Sequence, residues 1–191
     1  MKKIIILISA ILTITYIIGY TNKDIVFNND EEILEYLNEN DSMNEMGKEN
    51  LSIIDTIHID DSKIVIFLSD TVQGYIVCEK NEKGNYVMTD NTMQGIESNG
   101  LGVTDFLARY NLNKGLENSD LAYIVISDGS KVSSVDMSVN EHIFNKKLEI
   151  GTTSVTLLNI KDVLSKNELK EMVSFDCRYF DIDNKELALN D

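Results

Sequence analysis

The sequence predicts an α+β fold: mainly antiparallel β meanders with a few short peripheral helices, behind an N-terminal apolar helix. Three observations carry that expectation. Met1-Lys2-Lys3 is followed by seventeen uncharged residues, Ile4 to Tyr20. From Leu51 onward apolar positions recur with a period of two, the spacing of strands with a buried face. Helical signals are confined to short stretches behind capping residues.

Lys2 and Lys3 hold the N-terminus on the cytoplasmic side, because positive charge sets orientation. As a helix, residues 4–20 span about 25 Å against the roughly 30 Å of a bilayer core. Length therefore leaves open a cleaved signal peptide, an uncleaved anchor and a lipoprotein signal. Bulky Tyr16, Ile17 and Ile18 make a poor signal-peptidase site, which wants small residues at alternate positions. Ile17-Ile18-Gly19-Tyr20 has the spacing of a lipobox with Tyr20 where the lipid-bearing Cys would stand, although short apolar strings ending in Gly also arise by chance. Residues 1–23 are read as a signal peptide or signal anchor. Residues 24–191 then form an exported acidic domain, tethered or released, with two β-rich halves at 24–90 and 119–191.

The domain is of a size that buries a real core. Setting aside Lys2 and Lys3, 15 basic residues face 32 acidic ones, a formal charge of −17. Such a surface repels nucleic-acid phosphate and anionic headgroups. No nucleic-acid partner is expected; solubility alone accounts for the charge, and a basic protein or cell-envelope component is the functional alternative. The absence of Pro and Trp, with abundant Ile, Asn and Lys, matches an AT-rich genome and points to a low-GC Gram-positive bacterium.

Asn29 caps a first helix, with Glu32 three residues on as in a capping box and Ile33, Leu34 and Leu37 as its apolar stripe. Met43 and Met46 suggest a further turn. Strands follow at Leu51–Ile59, Lys63–Leu68, Val72–Glu79 and Tyr86–Met88, joined by short polar turns that favour a sequential meander. Asn91–Asn118 reads as a connection holding one short helix, capped by Thr104 and buried through Phe106, Leu107 and Tyr110. A second strand set is expected at Leu121–Ser127, Lys131–Val139, Lys147–Ile150 and Val155–Ile160, with a hairpin at Asp128-Gly129. Ser165 and Glu168 open a helix over 166–172, and Val173–Phe180 is the last strand.

Ile57 to Phe67 (IHIDDSKIVIF), Tyr75 to Tyr86 (YIVCEKNEKGNY) and Tyr179 to Leu187 (YFDIDNKEL) resemble a broad group of small exported or lipid-anchored Firmicutes proteins of unknown function. The chain departs from that pattern at Tyr20, where the lipid-bearing Cys is expected, and at Tyr86, where Trp is common. The resemblance implies export and brings no activity or functional residue.

Chemistry-bearing residues are sparse. His58 and Asp60 share a strand face, and as a pair they offer a metal site or an acid–base couple; the alternative is a histidine beside a turn. His142 reads as a loop residue. Asp181, Asp183 and Glu186 offer oxygens for calcium, but the stretch lacks the central Gly and distal Glu of an EF-hand and otherwise reads as a solvated turn. Cys78 and Cys177, an even count in an exported chain, permit one disulfide; the alternative is two small buried hydrophobes. Gly95 to Gly102 lacks a following basic residue and reads as a connector rather than a phosphate loop. No cofactor motif is present. The functional expectation is a non-enzymatic extracytoplasmic binding or accessory protein. An acidic inhibitor or immunity-like factor for a basic exported partner, and a metal-dependent enzyme using His58 and Asp60, are the alternatives.

Overall fold

Side-chain alternation decides which way each strand faces, and here it sorts the strands into three stacked sheets. The computed structural model describes residues 25–40, 47, 49–96, 100–165, 167–170 and 173–188. The apolar segment 4–20, Met43 and Met46 lie outside the described residues.

Sheet A contains the expected meander. β2 (Ser52–Ile59), β3 (Ser62–Leu68), β4 (Val72–Lys80) and β5 (Tyr86–Gly95) pair in sequence, and β1 (Val26–Phe27) adds to the far edge of β5. Both faces of β3 and β4 are covered. Val65, Phe67, Val72, Ile76 and Cys78 point one way, toward α1 (Asp30–Glu39), whose Ile33 and Leu37 are fully buried against them. Asn29 caps α1 as expected: its Oδ1 accepts the Glu32 N–H at 2.9 Å, while the Glu32 carboxylate reaches back to the Asn28 N–H at 2.7 Å. Lys63, 5 % exposed, pins the helix to β3 by donating to Asp30 at 3.1 Å.

Ile64, Ile66, Tyr75 and Val77 point the other way and meet sheet B. Sheet B is β6 (Val103–Tyr110), β7 (Asp120–Ser127) and β10 (Ser154–Asn159), with β7 central. β7 is an apolar run buried on both faces, the mark of an inner strand. Its Ala122, Ile124 and Ile126 face sheet A, and its Tyr123 and Val125 face sheet C. Sheet C orders β12 (Glu186–Leu187), β11 (Phe175–Phe180), β8 (Ser134–Val139) and β9 (His142–Lys147). Val135, Met137, Val139 and Tyr179 supply its inner face. The molecule is thus mainly antiparallel β, with one α-helix among the described residues.

Four expectations are corrected. Asn91–Asn118 is not a helical connection: β5 continues to Gly95 and β6 is a strand. Phe106 and Tyr110 stand four apart, which fits either period, but buried Ala108 between them and the outward Leu107 select a period of two. Thr104 caps nothing and bonds the Gln73 amide instead. The Asp128-Gly129 step is not a hairpin, because β7 and β8 belong to different sheets. Gly129, at φ +79, carries the chain between them, with a Cβ there set to meet the Thr152 carbonyl at 2.3 Å. The strand expected at Lys147–Ile150 is instead β9, so His142 begins a strand; its polar, exposed edge hides it from hydrophobic patterning. The Ser165–Glu168 capping box forms, with the Ser165 N–H 2.8 Å from the Glu168 carboxylate, but it opens a 3₁₀ turn over Glu168–Lys170. Residues 166, 171 and 172 of that expected helix lie outside the described residues.

The 119–191 half divides between sheets B and C and shares sheet B with β6. One turn is built twice. Asn81 Oδ1 accepts from the N–H of Lys83 and Asn85, at 3.0 and 3.1 Å. Asp181 Oδ1 accepts from Asp183 and Lys185, both at 2.9 Å.

Candidate functional site

The space between sheets A and B ends in two different ways. At one end Ser62 lies opposite Glu79, and Tyr110 opposite Asp120, which gathers the turns Asp60-Asp61 and Asn111–Ser119. The end is closed by polar bonds. Glu79, 2 % exposed, accepts the N–H groups of Leu112 and Asn113 at 2.6 and 2.7 Å. Asn111, fully buried at φ +59, donates its amide to Asp120 at 2.6 Å and to Asp60 at 3.3 Å. Among the described residues its Oδ1 has no hydrogen-bond partner. Lys161 Nζ sits 2.5 Å from Asp60 Oδ2 and 5.5 Å from the Tyr110 ring centre. Burial pushes the Tyr110 phenol up to about 12, and its hydroxyl donates to Asn159 at 2.6 Å.

His58 and Asp60 are not brought together. Strand alternation ends at Ile59, and Asp60, at φ +53, turns to Lys161 and Asn111. His58 instead packs edge-on to Tyr86, ring centres 6.4 Å apart. Asp181 is occupied by its own turn, and Asp183 lends that turn its N–H. Among the described residues no group of three or more His, Cys, Asp and Glu is placed to hold a metal ion.

The Lys161 hydrogen bond, then the Asn111 amide, hold the Asp60 carboxyl below its ordinary 3.8. A depressed acid stabilises the fold above its unfolded value and loses that contribution as pH falls through the folded value. The bond to Asp60 raises Lys161, so that half is present below the ordinary lysine range and lost only in strong alkali. Asp60→Asn is therefore expected to lower stability modestly at neutral pH, to converge with the wild type well below about pH 4, and so to flatten the acid limb of the stability profile. An unaltered acid limb in urea melts contradicts this.

Cys78 lies beneath α1, whereas Cys177 packs on the cluster between sheets B and C. Both are free thiols, so the disulfide weighed from the sequence is not formed. Burial pushes each up to about 11, and Cys177 also contacts the Tyr123 hydroxyl at 3.1 Å. Neither supplies thiolate at neutral pH. In the folded protein at about pH 8, a thiol reagent is expected to react with both cysteines far more slowly than in denaturant. Rapid native labelling of either contradicts that assignment.

The opposite end is open. Leu68 lies opposite Gln73, and Val103 opposite Ser127, and between them is a pocket of about 260 Å³. Leu68, Ile96, Val103 and Ile126 supply its apolar walls. Ser69, Gln73, Thr104, Asp70 and Asp128 supply polar groups, and among the described residues no Lys, Arg or His lines it. Gly102 at φ +69 makes room for one of the two acids: a Cβ there would meet the Asp128 carboxylate at 2.2 Å. The volume lies just under the roughly 300 Å³ at which drug-sized sites begin. Comparisons with family models, curated proteins and solved structures find no match to this chain.

Sequence reasoning passed over Glu79, Asn111, Lys161 and Gln73. The signal for Glu79 was present: Tyr75, Val77 and Glu79 alternate, so a carboxylate stood in phase with core positions. The pocket left no local signal, because separate segments line it.

Proposed function

We propose that this chain is a non-enzymatic binding protein that works outside the membrane, tethered through residues 4–20 or released by cleavage. The observation that carries the reading is the open pocket, whose charged lining groups among the described residues are two carboxylates, Asp70 and Asp128, in a domain of strong negative charge. Away from it, the groups best suited to chemistry are engaged: Asp60 with Lys161 and Asn111, Asp181 with its turn, and both cysteines as free thiols packed on the cores. An acidic surface of this kind attracts basic partners over a range set by salt screening.

The test is capture of a cell-envelope component by immobilised full-length chain in detergent. Recovery that falls steeply from low to high salt is the expected result. No recovery at any salt would remove the reading. Recovery of one basic exported protein would favour the inhibitor or immunity-like role over a general accessory one.

A further inference from the structure

We infer that the pocket between sheets A and B binds a small aliphatic ammonium compound, with its charged head between Asp70 and Asp128 and its apolar body against Leu68, Val103 and Ile126. This rests on the binding reading above and names the chemistry of the ligand. Three features carry it.

The first is charge. Among the described residues both ionisable lining groups are acids, so an anion is repelled and a cation is attracted. The second is unused acceptor capacity. Asp70 Oδ2 takes the Asn50 amide at 2.8 Å and Asp128 Oδ1 takes the Ser130 N–H at 2.7 Å. The remaining oxygen of each carboxylate accepts nothing from the described residues. Gln73 adds a third acceptor: it is 4 % exposed, its amide nitrogen is given to Thr104, and no described donor reaches its Oε1. An alkylammonium carries three N–H donors on one charged centre, which matches three acceptors of this kind.

The third feature is the apolar wall. Ile126 is 1 % exposed, Val103 3 % and Ile96 39 %. A hydrated metal ion gains nothing from such a wall, whereas a short alkyl chain gains about 0.8 kcal/mol per buried methylene. A hard divalent cation also takes six or more oxygens, and the described residues bring two carboxylates to this pocket. The size excludes a folded partner and favours a compact molecule.

The experiment is titration of the full-length chain in detergent with n-butylammonium chloride, followed by calorimetry and by amide NMR shifts at Gln73, Thr104 and Asp128. Saturable binding is expected, with n-butanol and n-butyrate at least about tenfold weaker. Asp128→Asn and Asp70→Asn each remove one charge while keeping shape and are expected to weaken binding by about tenfold. The ligand comparison needs no variant, so a variant that fails to fold leaves the test intact. Equal binding of n-butanol would overturn the assignment, as would unchanged affinity in both folded variants. Displacement of the amine by calcium at matched ionic strength would also overturn it, in favour of a metal site. Failed amine binding with retained envelope capture would remove this assignment and leave the broader reading standing; the reverse result would remove the broader reading alone.

Discussion

Replacing Glu79 with Ala is expected to destabilise the fold by about 3 kcal/mol or more, read from denaturant unfolding. The carboxylate is 2 % exposed and accepts two backbone N–H groups, from Leu112 and Asn113. Both donors sit at the start of the 3₁₀ turn Leu112–Lys114, where the backbone offers them no partner of its own. Hydrogen bonds to a charged acceptor are worth about 1.5–3 kcal/mol each. Glu79→Gln keeps one acceptor oxygen and is expected to fall between wild type and Ala. Faster amide exchange at Leu112 and Asn113 should accompany the loss. A change within about 0.5 kcal/mol, the range of an ordinary surface substitution, contradicts the role assigned here.

Gly74→Ala is expected to cost about 3 kcal/mol, at the upper end for a single added methyl. Gly74 stands in β4 opposite Met93 of β5 and Phe67 of β3. A Cβ there would lie 2.1 Å from the Thr92 carbonyl oxygen, 2.9 Å from Met93 Cα and 2.9 Å from the Phe67 ring. Two of those atoms are backbone and cannot swing aside. Shortening Phe67 to Leu in the Gly74→Ala background is therefore expected not to restore stability. Gly84 makes the contrast: at φ +82 with open space around it, its Ala variant meets only backbone strain, of about 1–2 kcal/mol. Equal losses at the two glycines, measured by thermal unfolding, would show that the β4–β5 approach is looser than described.

In sheet A, β2, β3 and β4 were legible because their turns are short and the chain simply doubles back, whereas β1 and the second half of β5 were not. Ser62–Leu68 and Val72–Lys80 match the expected strands to within a residue or so. The division between sheets B and C was not legible. A turn signal such as Asp128-Gly129 says that the chain reverses, not which sheet receives it. β6 was missed because Phe106 and Tyr110 fit a helix as well as a strand, and β9 because its two apolar residues, Ile143 and Phe144, fall on opposite faces of an exposed edge strand and show no alternation. His58 and Asp60 looked like a pair because strand spacing puts them on one face; a single left-handed residue at Asp60 sends them to different partners. Turns of this kind set site geometry, and residue spacing does not show them.

Cross-linking on intact cells, with a lysine-reactive reagent that does not cross membranes, tests most directly whether the acidic domain binds a partner outside. The expected result is a cross-linked species containing the full chain that forms without permeabilisation and diminishes as salt is raised. Reaction only after permeabilisation would contradict the outward placement. A chain that is modified on intact cells yet joined to nothing would contradict the binding role.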